Sequence, residues 1–158
     1  MRSVIFWLWQ LSRSMNYAVL LTTLSARVLL KLTLTEAQHQ VAVFNEFAKK
    51  CIWLDFDLVS YSPDKLLLKC GIDLLSYTDA ELEFRQVFVA SVLATWTTDT
   101  STGPVIRILE GSEAVSLNMQ YQVERGYHLF AFQPEYLAKS VYCVVAAKRF
   151  TWRNLKDI

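Results

Sequence analysis

The most regular pattern in the chain begins at Ala37. Ala37, Val41, Phe44 and Ala48 recur at three- and four-residue intervals, with Phe47 and Cys51 at the margin and His39, Glu46 and Lys50 on the opposite side. That spacing predicts a helix with one buried face and one wet face. Just ahead of it, Thr33-Leu34-Thr35-Glu36 has the Ser/Thr-x-x-Glu form, in which a hydroxyl and a carboxylate satisfy the first free amides of a helix, so the helix is expected to start there. Lys49 and Lys50 suit its negative end, and the β-rich run from Ile52 predicts its termination.

From Leu54 the period changes to two. Leu54, Phe56 and Leu58 alternate with Asp55 and Asp57, the signature of a strand with one solvated face. Ser62-Pro63-Asp64 predicts a turn, since proline presets the backbone angle needed at its second position, and a hairpin partner should occupy residues 66–74. After the polar residues 76–79, Leu82 and Phe84 alternate with Glu81, Glu83 and Arg85. The pattern then becomes more continuously apolar over 87–93, as for a strand passing from an exposed rim into the core. Residues 97–103 are almost all Thr, Ser, Asp and Gly, so strand pairing is expected to pause there. Further strands are predicted over 105–109, 114–123 and 127–132, separated by Gly111-Ser112 and Arg125-Gly126, and a central one over 141–147. The sum is an α+β domain, with one N-terminal amphipathic helix packed on a predominantly antiparallel sheet of about six to seven strands.

Charge sets the start of that domain. The formal net charge is +1, but Arg2, Arg13, Arg27 and Lys31 precede the first carboxylate, Glu36, and the remainder is mildly acidic. The expected division is therefore a basic apolar leader over residues 1–32 and a single domain over 33–158. The leader fits more than one reading. Its basic flank, apolar centre and small Ser25 and Ala26 suit a secretory signal, and its lack of acids suits an organellar transit segment. It also fits an extra helix on the domain, or a start placed upstream of an initiating Met15. Arg13 and Arg27 interrupt its apolar stretches, so stable membrane insertion is not expected. Cys51, Cys70 and Cys143 are odd in number and lack close spacing, which favours a reducing compartment and, with it, the cytoplasm.

Motifs for chemistry are sparse. Gly71, Gly103, Gly111 and Gly126 are too dispersed for a phosphate-cradling loop, no nucleophile elbow occurs, and neither the cysteines nor the two histidines fall at structural-zinc spacing. The sequence therefore calls for no cofactor and no metal. His39 falls on the wet helix face; His128 shares strand parity with Phe130 and Phe132 and is expected to be a structural imidazole. Cys143 falls in a buried run, and Cys70 stands beside Lys69.

Two constellations remain. Asp55 and Asp57 project from one face of a strand and Glu81 and Glu83 from one face of another, so they are expected to contact a partner on a wet sheet surface. With a full core and no catalytic set, the leading expectation is a noncatalytic binding protein that uses this acidic face on a basic protein. A small immunity protein neutralising a toxin is an analogy of size and character only. The alternative is a small carboxylate-dependent hydrolase, with these acids converging in a cleft and His128 assisting. A third reading takes Lys148, Arg149, Trp152 and Arg153 as a nucleic-acid contact, basic groups tracking phosphates while Trp152 stacks a base. The near-zero net charge makes nucleic acid the less expected partner.

Overall fold

The computed structural model describes residue 28, residues 31 and 32, and residues 34–138 and 142–156. A compact unit runs from Thr35 to Ile158. Helical residues 34–48 (α1) bury Ala37, Val41, Phe44 and Ala48, the face their spacing predicts, and leave His39 exposed. Residues 31 and 32 are already helical, so the pattern at 33–36 does not mark where helical structure begins. The Glu36 carboxylate instead accepts from Gln40 Nε2, one turn further on. Residues 1–27, which carry most of the features of the leader, lie outside the described residues; Val28, Lys31 and Leu32 are helical and exposed. No described helix is long and apolar enough to cross a membrane.

The strands are β1 (Trp53–Tyr61), β2 (Lys65–Gly71), β3 (Ala80–Ser91), β4 (Thr95–Asp99), β5 (Ile106–Ile108), β6 (His128–Phe132) and β7 (Cys143–Asn154), with α2 (Gly111–Tyr121) between β5 and β6. They form one antiparallel sheet in the order β4-β1-β2-β3-β7-β6-β5. The sheet is strongly curled. β1 and β6 are four strand spacings apart, roughly 19 Å in a flat sheet, yet the rings of Phe56 and Phe132 lie 5.4 Å apart, and Trp96 of β4 reaches the same Phe132 at 5.4 Å. Rolling the sheet brings the inward residues of distant strands into one aromatic core: Phe84 meets Phe130, Phe132 and Phe150 at 5.2, 6.3 and 5.0 Å. Helix α1 packs on this core through Phe44 and Phe47, which both meet Trp152. It also shields the edge of β5: the Asn45 carboxamide donates to Ile106 O at 2.9 Å and accepts from Ile106 N at 3.1 Å, as a neighbouring strand would.

Both long strands change facing midway. β3 buries Leu82 and Phe84 and then Val87, and β7 buries Ala147 and then Phe150. Gln86 takes a left-handed φ of 53° at the step, and the register with β7 shifts between Val87 and Val89. Such a bulge bends the sheet and helps to roll it. Gln86 N and Val87 N donate to Asp64 O and Pro63 O, so the β1–β2 turn is built against the bend.

Three expectations are corrected. The segment 114–123 is not a strand but falls largely in α2, where Ala114 and Leu117, three residues apart, lie against the sheet. The Thr-rich segment does not interrupt pairing at once: Thr95–Asp99 is β4, with Trp96 and Thr98 turned inward and Thr95 and Thr97 outward. The strand expected over 141–147 does not end there, and the residues after 147 belong to it. They continue β7 to Asn154 as the central partner of β3, because Phe150 and Trp152 keep strand parity with the core.

Candidate functional site

The sheet has an outer face, and its two parts differ. Over β5, β6 and β7, the outward residues Leu129, Ala131, Val144 and Ala146 are buried with Leu109 beneath Ala114 and Leu117 of α2. Over β1, β2 and β3, the outward residues are charged or polar. One row runs Thr95, Asp57, Lys69, Glu81, Arg153 across five strands; its neighbours include Thr97, Asp55, Gly71 and Leu67, Glu83, Thr151.

All four predicted acids lie on this outward face, as their alternation requires. They do not gather into one group. Asp55 and Asp57 are on β1 and Glu81 and Glu83 on β3, with Lys65, Leu67 and Lys69 of β2 between them. Two strand spacings make the separation of the pairs about 10 Å. Basic residues alternate with the acids, so the face has mixed charge. Arg153 Nε donates to Glu81 Oε2 at 2.8 Å, and Lys65 Nζ lies 2.8 Å from Glu83 Oε2, with Arg85 closing on the other Glu83 oxygen. The Lys65 hydrogen bond, seconded by Arg85, holds the Glu83 carboxyl below its ordinary range. β1 differs. Asp55 accepts a neutral hydrogen bond from Thr97 Oγ1 at 2.7 Å, and Asp57 is exposed. Neither carboxylate is ion-paired with another described residue. Trp53, of the same parity, is 43% exposed and donates Nε1 to Ile72 O, which fixes its ring.

The geometry that acid-base hydrolysis needs is not assembled by these groups. The depression over Lys65, Glu81, Glu83 and Arg153 is an open hollow of about 340 Å3, and its carboxylates are already paired with cations. His128 is buried on the inner face, edge-on to Phe130 at 6.3 Å, with Nε2 lacking a hydrogen-bond partner; burial pushes its pKa down. Its burial beside Phe130 is what its strand parity predicts.

The basic residues near the end of the chain also part company. Arg149 and Arg153 point outward, opposite Arg85 and Glu81, whereas Trp152 turns inward onto Phe44 and Phe47. Lys148 lies over the Tyr127 ring at 4.9 Å. Strand alternation thus splits the cations from the ring that would stack a base.

The cysteines are free thiols. Cys70 and Cys143 are buried and Cys51 partly so, and burial pushes all three above the ordinary thiol range. Sequence reasoning passed over Asp79. This carboxylate is fully buried, 2.9 Å from Lys156 Nζ, and accepts from Ile72 N at 3.3 Å, tying the 72–79 loop to the end of β7. The bond from Lys156 Nζ to the Asp79 carboxylate raises the Lys156 pKa. Its signal was faint, one acid at the end of a polar turn. Among the described residues no group of acids, thiols and imidazoles is placed to hold a metal ion.

No family model matches the chain, and neither a curated protein nor a solved structure matches it.

Proposed function

We propose that this protein is a noncatalytic binding module that contacts a basic protein segment through the β1 side of its open sheet face. The observation that carries this reading is the triplet Trp53, Asp55 and Asp57. An exposed aromatic ring and two carboxylates without ion-pair partners among the described residues stand in line on one strand, while the neighbouring acids of β3 are neutralised within the sheet. Burying Glu81 or Glu83 against a partner would first require breaking an ion pair. Asp55 and Asp57 carry no such cost, and a cation docking on them gains a charge-assisted bond. Trp53 adds the large, preordered apolar surface typical of the residues that dominate interface energy. A rigid antiparallel sheet holds all three in register, so little order has to be created on binding.

The test compares affinity capture from native lysate by the full chain, by an Asp55→Lys/Asp57→Lys variant and by a Thr151→Ala control on the same face. The expected result is a stoichiometric basic partner held by the wild type and the control, lost from the double variant, and released as salt rises. Equal capture by all three proteins, or capture of no stoichiometric partner, would contradict the reading.

A further inference from the structure

The curl of the sheet brings its two edge strands, β4 and β5, to a seam, where the segment after β6 joins β4 through the backbone bond from Glu135 N to Thr97 O at 2.8 Å. A pocket of about 480 Å3 opens along this seam, lined among others by Thr98, Asp99, Arg107, Glu135, Leu137 and Tyr142. It shares no residue with the triplet on β1 and does not depend on that reading. We propose that the seam pocket binds a zwitterionic amino acid with an apolar side chain, its carboxylate on Arg107 and its ammonium between Asp99 and Glu135.

Arg107 is held in place before any ligand arrives. Its guanidinium lies over the Tyr142 ring at 5.1 Å, and one terminal nitrogen reaches Glu113 Oε1 at 3.4 Å, the long limit of a hydrogen bond. Stacking sets the plane of the fork and leaves other N–H groups to donate, the arrangement suited to a carboxylate. Asp99 is equally set. Its Oδ1 accepts from Ser101 N and Ser101 Oγ at 2.7 and 2.6 Å, which holds the carboxyl below its ordinary range and leaves Oδ2 for a cation. The Glu135 main chain is fixed by its bond to Thr97, and its side chain is exposed on the rim.

Leu137 and Tyr142 supply apolar wall. The charge pattern sets the ligand class by exclusion: a simple anion meets the two carboxylates, a simple cation meets Arg107, and a molecule carrying both charges meets neither penalty.

The probe is L-leucine titrated into the 15N-labelled full chain, with N-acetyl-L-leucine, which lacks the ammonium, and L-leucinamide, which lacks the carboxylate, as comparators. Leucine is expected to shift the amide signals of Thr98, Arg107 and Glu135, and each comparator to bind at least about tenfold more weakly, as for a lost charged hydrogen bond. Arg107→Gln should abolish the preference for leucine over leucinamide, and Glu135→Gln should reduce that over N-acetyl-leucine. Arg107→Lys, keeping the charge without the planar fork, should fall between. If leucine leaves these signals unmoved, or shifts them equally in a folded Arg107→Gln variant, the proposal is overturned.

Discussion

The two parts of the outer sheet face share a backbone ladder but not a chemistry. Over β5–β7 the outward positions are Leu129, Ala131, Val144 and Ala146, sealed by α2 into a second small core. Over β1–β3 they are Asp55, Asp57, Lys65, Lys69, Glu81 and Glu83, and no described element covers them. β3 and β7 pass through both environments, and this is why 87–90 reads as continuously apolar while 81–85 alternates: the first stretch has partners on two sides, the second on one. The contrast identifies where the fold is finished internally and where the surface is left to solvent or a partner.

The largest expected effect is a charge placed on the covered part. Ala146→Asp puts an unpaired carboxylate at a fully buried position and should cost at least about 3–5 kcal/mol or prevent folding, whereas Thr151→Asp, farther along β7 on the open part, should change stability by no more than about 0.5 kcal/mol in urea denaturation. Next in size, Leu117→Ala removes the partly buried α2 side chain from the second core and should cost about 1–2 kcal/mol, read as a lower unfolding midpoint.

His128 gives a smaller, pH-dependent effect from the inner face. Its folded pKa lies below the ordinary 6.5, so the unfolded chain takes up the proton first. Stability should be complete well above that value and fall as the pH drops below it, by at most about 1.4 kcal/mol per pH unit. His128→Phe should flatten this component in denaturation curves measured across the range. Smallest is the ion pair on the open part: Glu81→Gln should cost less than about 1 kcal/mol, and the difference from the wild type should shrink in high salt, because Arg153 is largely exposed.

Most of the fold was legible because period and burial agree. The α1 stripe, the alternation at 54–58 and 81–85, and the Pro63 turn all lie where local pattern and tertiary packing require the same thing. The α2 segment was misread because a helix lying over one edge of a sheet buries only a narrow strip. None of its residues is fully buried, and the alternation of Val115, Leu117, Met119 and Tyr121 with Ser116, Asn118 and Gln120 imitates a strand. Of the candidate surface, facing was legible and pairing was not. Strand parity put the four acids on one side, but that β2 lies between the pairs with Lys65 and Lys69, and that β7 brings Arg153 to Glu81, follows from sheet order. The seam at Arg107 was equally hidden, since it joins residues from β4, β5 and the segment after β6 through the curl alone.

The most direct test of the division is methyl NMR of the full chain with a soluble paramagnetic probe in the solvent. Leu129, Ala131, Val144 and Ala146 should be protected by α2, while Leu67, outward on β2, should be strongly broadened. Comparable broadening of all five would contradict the account, because the outer face would then have no covered part and no distinct open one.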